Sequence, residues 1–188
     1  MSDLTIAFRP GTNADVPYLK STWLHSFRNG EGARDIPNTV YYKYEGAILT
    51  YVIPRCSNQG GVVVAYEDQG PDASWAQMVD ADILGYIVAE EFEGMLLVHM
   101  TYVRGYNKPG KKSGNKYRRR GIATELLSEV QRKLGLEGKK ILYTYRTEMC
   151  WQAYAFRKAL KRIDADYVLY PKYTLLPGGW ETGMPQSG

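Results

Sequence analysis

Cysteine and histidine are scarce. The 188 residues hold only Cys56 and Cys150, with His25 and His99 as the two imidazoles. Two thiols and two scattered histidines cannot supply a dedicated four-ligand zinc site, so no metal cofactor is expected. Nor can they build a disulfide framework, and both thiols are read as reduced. No run of about 18 apolar residues occurs, so no membrane-spanning helix is expected. Met1-Ser2-Asp3-Leu4 lacks the basic region and apolar run of a secretory leader, and a cytoplasmic location is the expectation. Acid is missing from 108–120, which carries Lys108, Lys111, Lys112, Lys116, Arg118, Arg119 and Arg120.

What is present is an ordinary globular composition, 44% hydrophobic and 23% charged. A chain of this length buries roughly two thirds of its unfolded surface and suits one domain over 1–188. The net charge of +4 conceals a split. Residues 1–94 hold 6 Lys/Arg and 13 Asp/Glu, whereas residues 95–188 hold 18 and 7. The basic half is suited to an anionic partner, although a charge run is as often a solvated loop.

Hydrophobic spacing predicts a strand at 5–9, broken by Pro10-Gly11. Asn13 or Asp15 then caps a helix whose apolar face is Val16, Leu19, Trp23 and Phe27. Pro37-Asn38 opens a second helix, with Tyr41, Tyr44, Ile48 and Val52 on one face. Three strands follow at 62–66, 83–89 and 95–103, an antiparallel meander interrupted by a polar loop at 67–80. A helix at 121–134 buries Ile122, Leu126, Leu127, Val130 and Leu134, and Gly135 or Gly138 ends it. A strand at 140–145, a helix at 149–163 and strands at 167–170 and 174–176 complete an α/β order. The tail 180–188 is expected to be loose.

The informative segment is Arg118-Arg119-Arg120-Gly121-Ile122-Ala123-Thr124, which follows a strand and opens an amphipathic helix. A helix start presents unpaired amides and the positive end of the dipole. Gly121 and Ala123 allow a diphosphate to approach those amides, and arginines add charge-assisted bonds. Arg118-x-x-Gly121-x-Ala123 resembles the Gln/Arg-x-x-Gly-x-Gly/Ala acetyl-coenzyme-A motif of the GNAT superfamily of N-acetyltransferases. The predicted order of elements over 5–176 is similar to that family's, as are Phe8-Arg9-Pro10 and Asp15 before a helix. The segment Trp23-Leu24-His25-Ser26-Phe27-Arg28 is similar to small GNAT proteins of bacteriophages and prophages.

The resemblance implies a mixed central sheet of about six to seven strands flanked by about four helices. It implies acetyl-CoA as co-substrate, with pantetheine beside Tyr102 and Val103. The diphosphate would lie on the amides of Arg119, Arg120, Gly121, Ile122, Ala123 and Thr124, with Arg118 in the Gln/Arg position. The connection 104–117 is longer than the family's usual one, and it would clamp the cofactor's 3′-phosphate or meet an acidic acceptor.

Direct acetyl transfer needs a neutral amine, a stabilised thioester oxygen and a proton for the leaving thiolate. A backbone N–H near Val103 would serve the oxygen. The resemblance implies a tyrosine acid on the helix after the fifth strand, and Tyr154 is the candidate; Phe156 competes for that register, and Tyr154 could equally pack as core. His99 is a candidate base, sharing a face with Thr101 and Val103 by strict alternation. Glu90 and Glu91 are alternatives acting through water. The acceptor amine, small molecule or protein, is not readable, and both monomer and homodimer stay open. A nucleic-acid-binding or DNA-base-modifying protein on the same fold is the competing reading, carried by the basic segment 104–120 with Tyr106 and Tyr117.

Overall fold

The computed structural model describes residues 5–28, 37–68, 70, 72–80, 82–104, 121–144 and, as backbone, 165–167. Its elements are β1 (Ile6–Pro10), α1 (Val16–Arg28), α2 (Asn38–Asn58), β2 (Val62–Glu67), α3 (Trp75–Asp80), β3 (Ile83–Phe92), β4 (Met95–Val103), α4 (Ile122–Leu134), β5 (Ile141–Tyr143) and β6 (Ala165–Tyr167). The strands form one sheet in the order β1-β2-β3-β4-β5-β6. β1 to β4 pair antiparallel, and β5 and β6 join in parallel. A parallel join needs a crossover, and α4 supplies the one between β4 and β5.

The sheet is apolar on both faces because each is covered by helix. One core holds Leu19, Trp23 and Leu24 of α1 and Tyr41, Leu49, Val52, Ile53 and Cys56 of α2, packed on Val64, Tyr86, Val88 and Met100. The other holds Ile122, Leu126 and Val130 of α4 on Val63, Ala65, Leu84, Ile87, Leu96 and Val98. Alternating strand residues therefore feed opposite cores, which is why β2 reads as an unbroken apolar run.

Several expectations need correction. The 67–80 segment is not all loop, since α3 occupies its end. α2 continues through Pro54 to Asn58, and its buried row is Tyr41, Leu49, Val52, Ile53 and Cys56. Tyr44, expected on that row, is exposed, because the helix face rotates by one position relative to the predicted spacing. Asp15 begins α1 through its carbonyl, which accepts from Leu19 N at 3.0 Å. Its carboxylate does not cap the helix. It binds Arg9 through two bonds of 2.7 and 2.8 Å and accepts from Thr12 N at 2.7 Å. Gly135, not Gly138, ends α4, in a left-handed conformation. β6 overlaps the strand expected at 167–170 only at Tyr167. The helix at 149–163 and the strand at 174–176 lie outside the described residues, as does the tail 180–188.

The Arg9–Asp15 pair is buried on both sides and ties β1 to the start of α1. Burial pushes the Asp15 carboxyl up, but its bonds to Arg9 and Thr12 outweigh this and hold it below 3.8. A depressed carboxyl stabilises the fold above its unfolded value, and that contribution is lost as pH falls through the folded value. Asp15→Asn leaves Arg9 buried and unpaired, and should cost roughly 3–5 kcal/mol in urea unfolding at neutral pH. It should also flatten the loss of stability below about pH 4. An unchanged unfolding midpoint would contradict this role.

Candidate functional site

β4 is paired on both sides only along its first part. Its ladder with β5 runs Leu96↔Ile141, Leu97↔Leu142 and Val98↔Tyr143. Thr144 N then donates to Val98 O at 3.0 Å. Beyond that bond β4 continues to Val103, and among the described residues its only strand partner there is β3. Among the described residues the pairing of β4 with β5 stops at this fork, after Val98. At the same point β4 carries a bulge. Met100 faces Val88 and Val98 faces Ala89, so His99 is the extra residue of the ladder. A bulge takes one residue out of regular pairing and bends the strand.

The N-terminus of α4 sits against the far end of the fork. Gly121 precedes the helix with φ 74°, and among the described residues no side chain caps its first turn. Thr124 N and Glu125 N both donate to Gly121 O, at 2.8 and 3.0 Å. The earlier amides of such a helix start have no intrahelical acceptor and carry the positive end of the dipole. Close approach of α4 depends on Gly85 of β3. A methyl group there would meet Tyr102 O at 2.7 Å, Ile122 Cγ2 at 3.3 Å and Leu126 Cδ1 at 3.4 Å. Tyr102, Ile122 and α4's first turn therefore converge around one strand glycine.

The other side of the fork is built by β4, β3 and α1. The rings of Tyr86 and Tyr102 stack with centroids 5.3 Å apart. Tyr86 Oη donates to Leu19 O at 3.2 Å and lies 3.0 Å from Thr22 Oγ1. Burial, reinforced by the neighbouring Tyr102, pushes the Tyr18 phenol up to about 12. Arg104, directly after β4, pairs with Asp82 at 3.0 Å and donates its backbone N–H to Leu84 O at 2.7 Å.

His99 is buried, and its Nε2 lies 2.9 Å from Glu90 Oε1. Glu90 Oε2 is bound by Arg55 of α2. Burial pushes the Glu90 carboxyl up, but His99 and Arg55 together outweigh it and hold it below 4.5. Cys56 Sγ joins the group, with its sulfur, a Glu90 oxygen and a His99 nitrogen within 4.8 Å of one another. Burial pushes the Cys56 thiol up to about 12, aided by the Glu90 charge. Cys56, Glu90 and His99 thus form one buried cluster, in which the Glu90 carboxylate is engaged at both oxygens.

Tyr102, Val103, Gly121, Ile122, Ala123 and Thr124, expected to line one site, lie on the adjoining ends of β4 and α4. His99 does not share a face with Val103, contrary to strict alternation. The bulge turns it toward α2 with Met100, while Val103 packs against the α4 core. Glu91 lies at the β3–β4 turn, exposed, accepting from Gly94 N at 2.6 Å. It pairs across from Leu96, at the opposite end of β4 from Val103. Arg118, Arg119, Arg120, Tyr154, Phe156 and the basic segment 105–120 lie outside the described residues. Sequence reading did not find Arg55, which sits in an unremarkable helical stretch. Gly85 was legible in principle, since a glycine inside an apolar strand marks close backbone approach.

A strand, two helices, an antiparallel β2-β3-β4 meander, a glycine-led helix and a parallel β5 constitute the GNAT fold. The structure is similar to the PaiA N-acetyltransferase of Thermoplasma acidophilum solved in complex with coenzyme A, at TM-score 0.51 and 11% identity over 82% of this chain and 89% of that one. It is also similar to a GCN5-related N-acetyltransferase of Ralstonia eutropha JMP134, at TM-score 0.50 and 16% identity over 80% and 90% of the two chains. No protein-family model and no curated sequence matches the chain. At these identities the likeness establishes the fold.

The backbone at Gly121 makes a direct prediction. Left-handed geometry costs an ordinary L-residue about 1–2 kcal/mol, and less for asparagine. Gly121→Ala should therefore lose about that much stability in denaturant unfolding, and Gly121→Asn distinctly less. Among the described residues nothing lies within 4 Å of an added Cβ. Equal stability of all three proteins would contradict the assigned backbone.

Proposed function

We propose that this chain is an acetyl-CoA-dependent N-acetyltransferase that moves an acetyl group directly to a primary amine. The observation that carries the reading is the fork itself. Among the described residues the outer edge of β4 at 99–103 has no strand partner and no side chain caps the helix start after Gly121, and the two lie on the adjoining ends of β4 and α4. An extended strand edge offers backbone donors and acceptors for a pantetheine amide chain, as an added strand would. The helix start offers amides and dipole to a diphosphate. Tyr102 and Val103 would flank pantetheine, and Gly121, Ile122, Ala123 and Thr124 would hold the diphosphate, with Arg118, Arg119 and Arg120 adding charge.

In the reaction the neutral amine attacks the thioester carbonyl carbon and the C–S bond breaks. A backbone N–H at the open β4 edge would stabilise the developing oxyanion. His99, next to the fork, is the proposed acceptor of the amine's proton, and Tyr154 the proposed donor to the thiolate.

Calorimetry with acetyl-CoA tests the placement. Wild-type protein should bind. Gly121→Glu should lose at least about tenfold in affinity, because a carboxylate enters the diphosphate position. Unchanged affinity in the variant would overturn the site. Salt-sensitive binding of DNA without any affinity for acetyl-CoA would favour the nucleic-acid reading of 104–120 instead.

A further inference from the structure

Cys56, Glu90 and His99 come from three elements, α2, β3 and β4, and meet in the core. Each is more than nine-tenths buried. One ligand atom from each residue, a sulfur, a carboxylate oxygen and a ring nitrogen, lies within 4.8 Å of the other two. The backbone sets this meeting. Gly61 N donates to Cys56 O and Ala89 N donates to Gly61 O, both at 2.8 Å. The end of α2 is thereby sewn to β3 one residue before Glu90. The seam is so close that a methyl group at Gly61 would collide with Ala89 O. The bulge in β4 then brings His99 to the same Glu90.

The geometry points to a binding site for a divalent transition-metal ion, zinc by its donor set, formed by Cys56 Sγ, Glu90 Oε1 and His99 Nε2 with a water in the fourth place. Two thiols and two histidines cannot fill a four-ligand zinc site, but a site of three protein ligands needs only one of each and a carboxylate. Sulfur and imidazole donors favour zinc over calcium or magnesium, which take oxygen ligands. Nitrogen and oxygen ligands of a tetrahedral zinc lie about 3.3 Å apart. His99 Nε2 and Glu90 Oε1 are 2.9 Å apart, so a small parting admits the ion between them. Nε2 is the nitrogen that already faces Glu90. The site makes no demand on Nδ1, and a hydrogen bond there would orient a ligating ring.

Arg55 holds Glu90 by the other oxygen, Oε2, as an outer partner of a ligating carboxylate does. Its charge opposes the ion, but its side chain is 26% exposed, so water screens it. Thiolate and carboxylate together supply two negative charges in its favour. On binding, Cys56 gives its thiol proton to solvent and a metal–sulfur bond replaces the S–H bond. The ion then ties α2, β3 and β4 together at the bulge, and its binding adds to the stability of the fold. The site goes beyond the transferase reading and does not rest on it. While Nε2 holds an ion it cannot accept a proton, so the loaded protein is a resting form of the enzyme proposed above.

The test uses the full chain, stripped of metal with a chelator and given cobalt(II) as the probe, both folded and during refolding because the site is buried. Wild-type protein should take up a single cobalt ion, with a thiolate-to-cobalt charge-transfer band in the near ultraviolet and the strong visible bands of tetrahedral cobalt. Zinc should displace the cobalt and raise the thermal unfolding midpoint. Cys56→Ala should abolish the charge-transfer band and the zinc-induced rise. Glu90→Gln should weaken cobalt binding about tenfold or more. Cys150→Ser and His25→Gln, which alter the other thiol and the other histidine, should keep every signal.

A wild-type protein without the charge-transfer band overturns the site, whether or not any variant folds. So does a band that survives Cys56→Ala and disappears in Cys150→Ser, or cobalt held only through His25. None of these readouts involves acetyl-CoA, so failure here leaves the transferase reading intact, and absence of acetyl-CoA binding leaves the metal site intact.

Discussion

Strand β4 is asked to do two incompatible things. Through Val98 it is an interior strand, bonded to β3 on one side and to β5 on the other. Past Val98 it keeps β3, and among the described residues no strand pairs with its outer edge. The bulge at His99 marks the change from one regime to the other. An extra residue there bends the strand and reverses which side chains reach which core, so Val98 packs toward α4 and Met100 toward α1 and α2. Nearly every feature of the site follows from that break. It turns His99 toward Glu90, and the strand beyond it ends at the start of α4.

The helical layers hold this break in position. Leu126 and Val130 of α4 are fully buried against the sheet, and Gly85 lets the first turn of α4 approach the Tyr102 carbonyl closely. On the opposite face, α2 reaches the bulge through Arg55 and Cys56, and α1 reaches Tyr102 at the end of β4 through Tyr18 and Tyr86 of β3 through Thr22. The buried charges are placed with partners. Arg9 and Asp15 secure β1 to α1, whereas Glu90 is shared between Arg55 and His99. Unpaired, either carboxylate would destabilise the fold, and their partners come from elements distant in sequence.

Much of this architecture was legible because it rests on local pattern. The stripe Ile122, Leu126 and Val130 announces α4, and Val62 to Ala65 announces a doubly covered strand. The glycine at 121 announces a helix start with special backbone. What could not be read is what two or more elements decide jointly. The bulge depends on how β3 and β4 pair, so alternation along β4 alone put His99 on the wrong face. The rotation of α2 that exposes Tyr44 and buries Leu49 depends on its packing against α1. Arg55 gained meaning only when α2 was laid across Glu90. The short helix α3, in a polar stretch with Trp75 exposed, has little periodicity to betray it.

The most direct measurement of the central claim is amide NMR of the full chain titrated with coenzyme A. The account predicts that amides of Gly121, Ile122, Ala123 and Thr124 shift together with those of residues 100–103, as one ligand spans helix start and strand edge. Saturable binding whose shifts fall elsewhere, on α2 or β1 for instance, would show that the fork is not where the cofactor lies and would contradict the account.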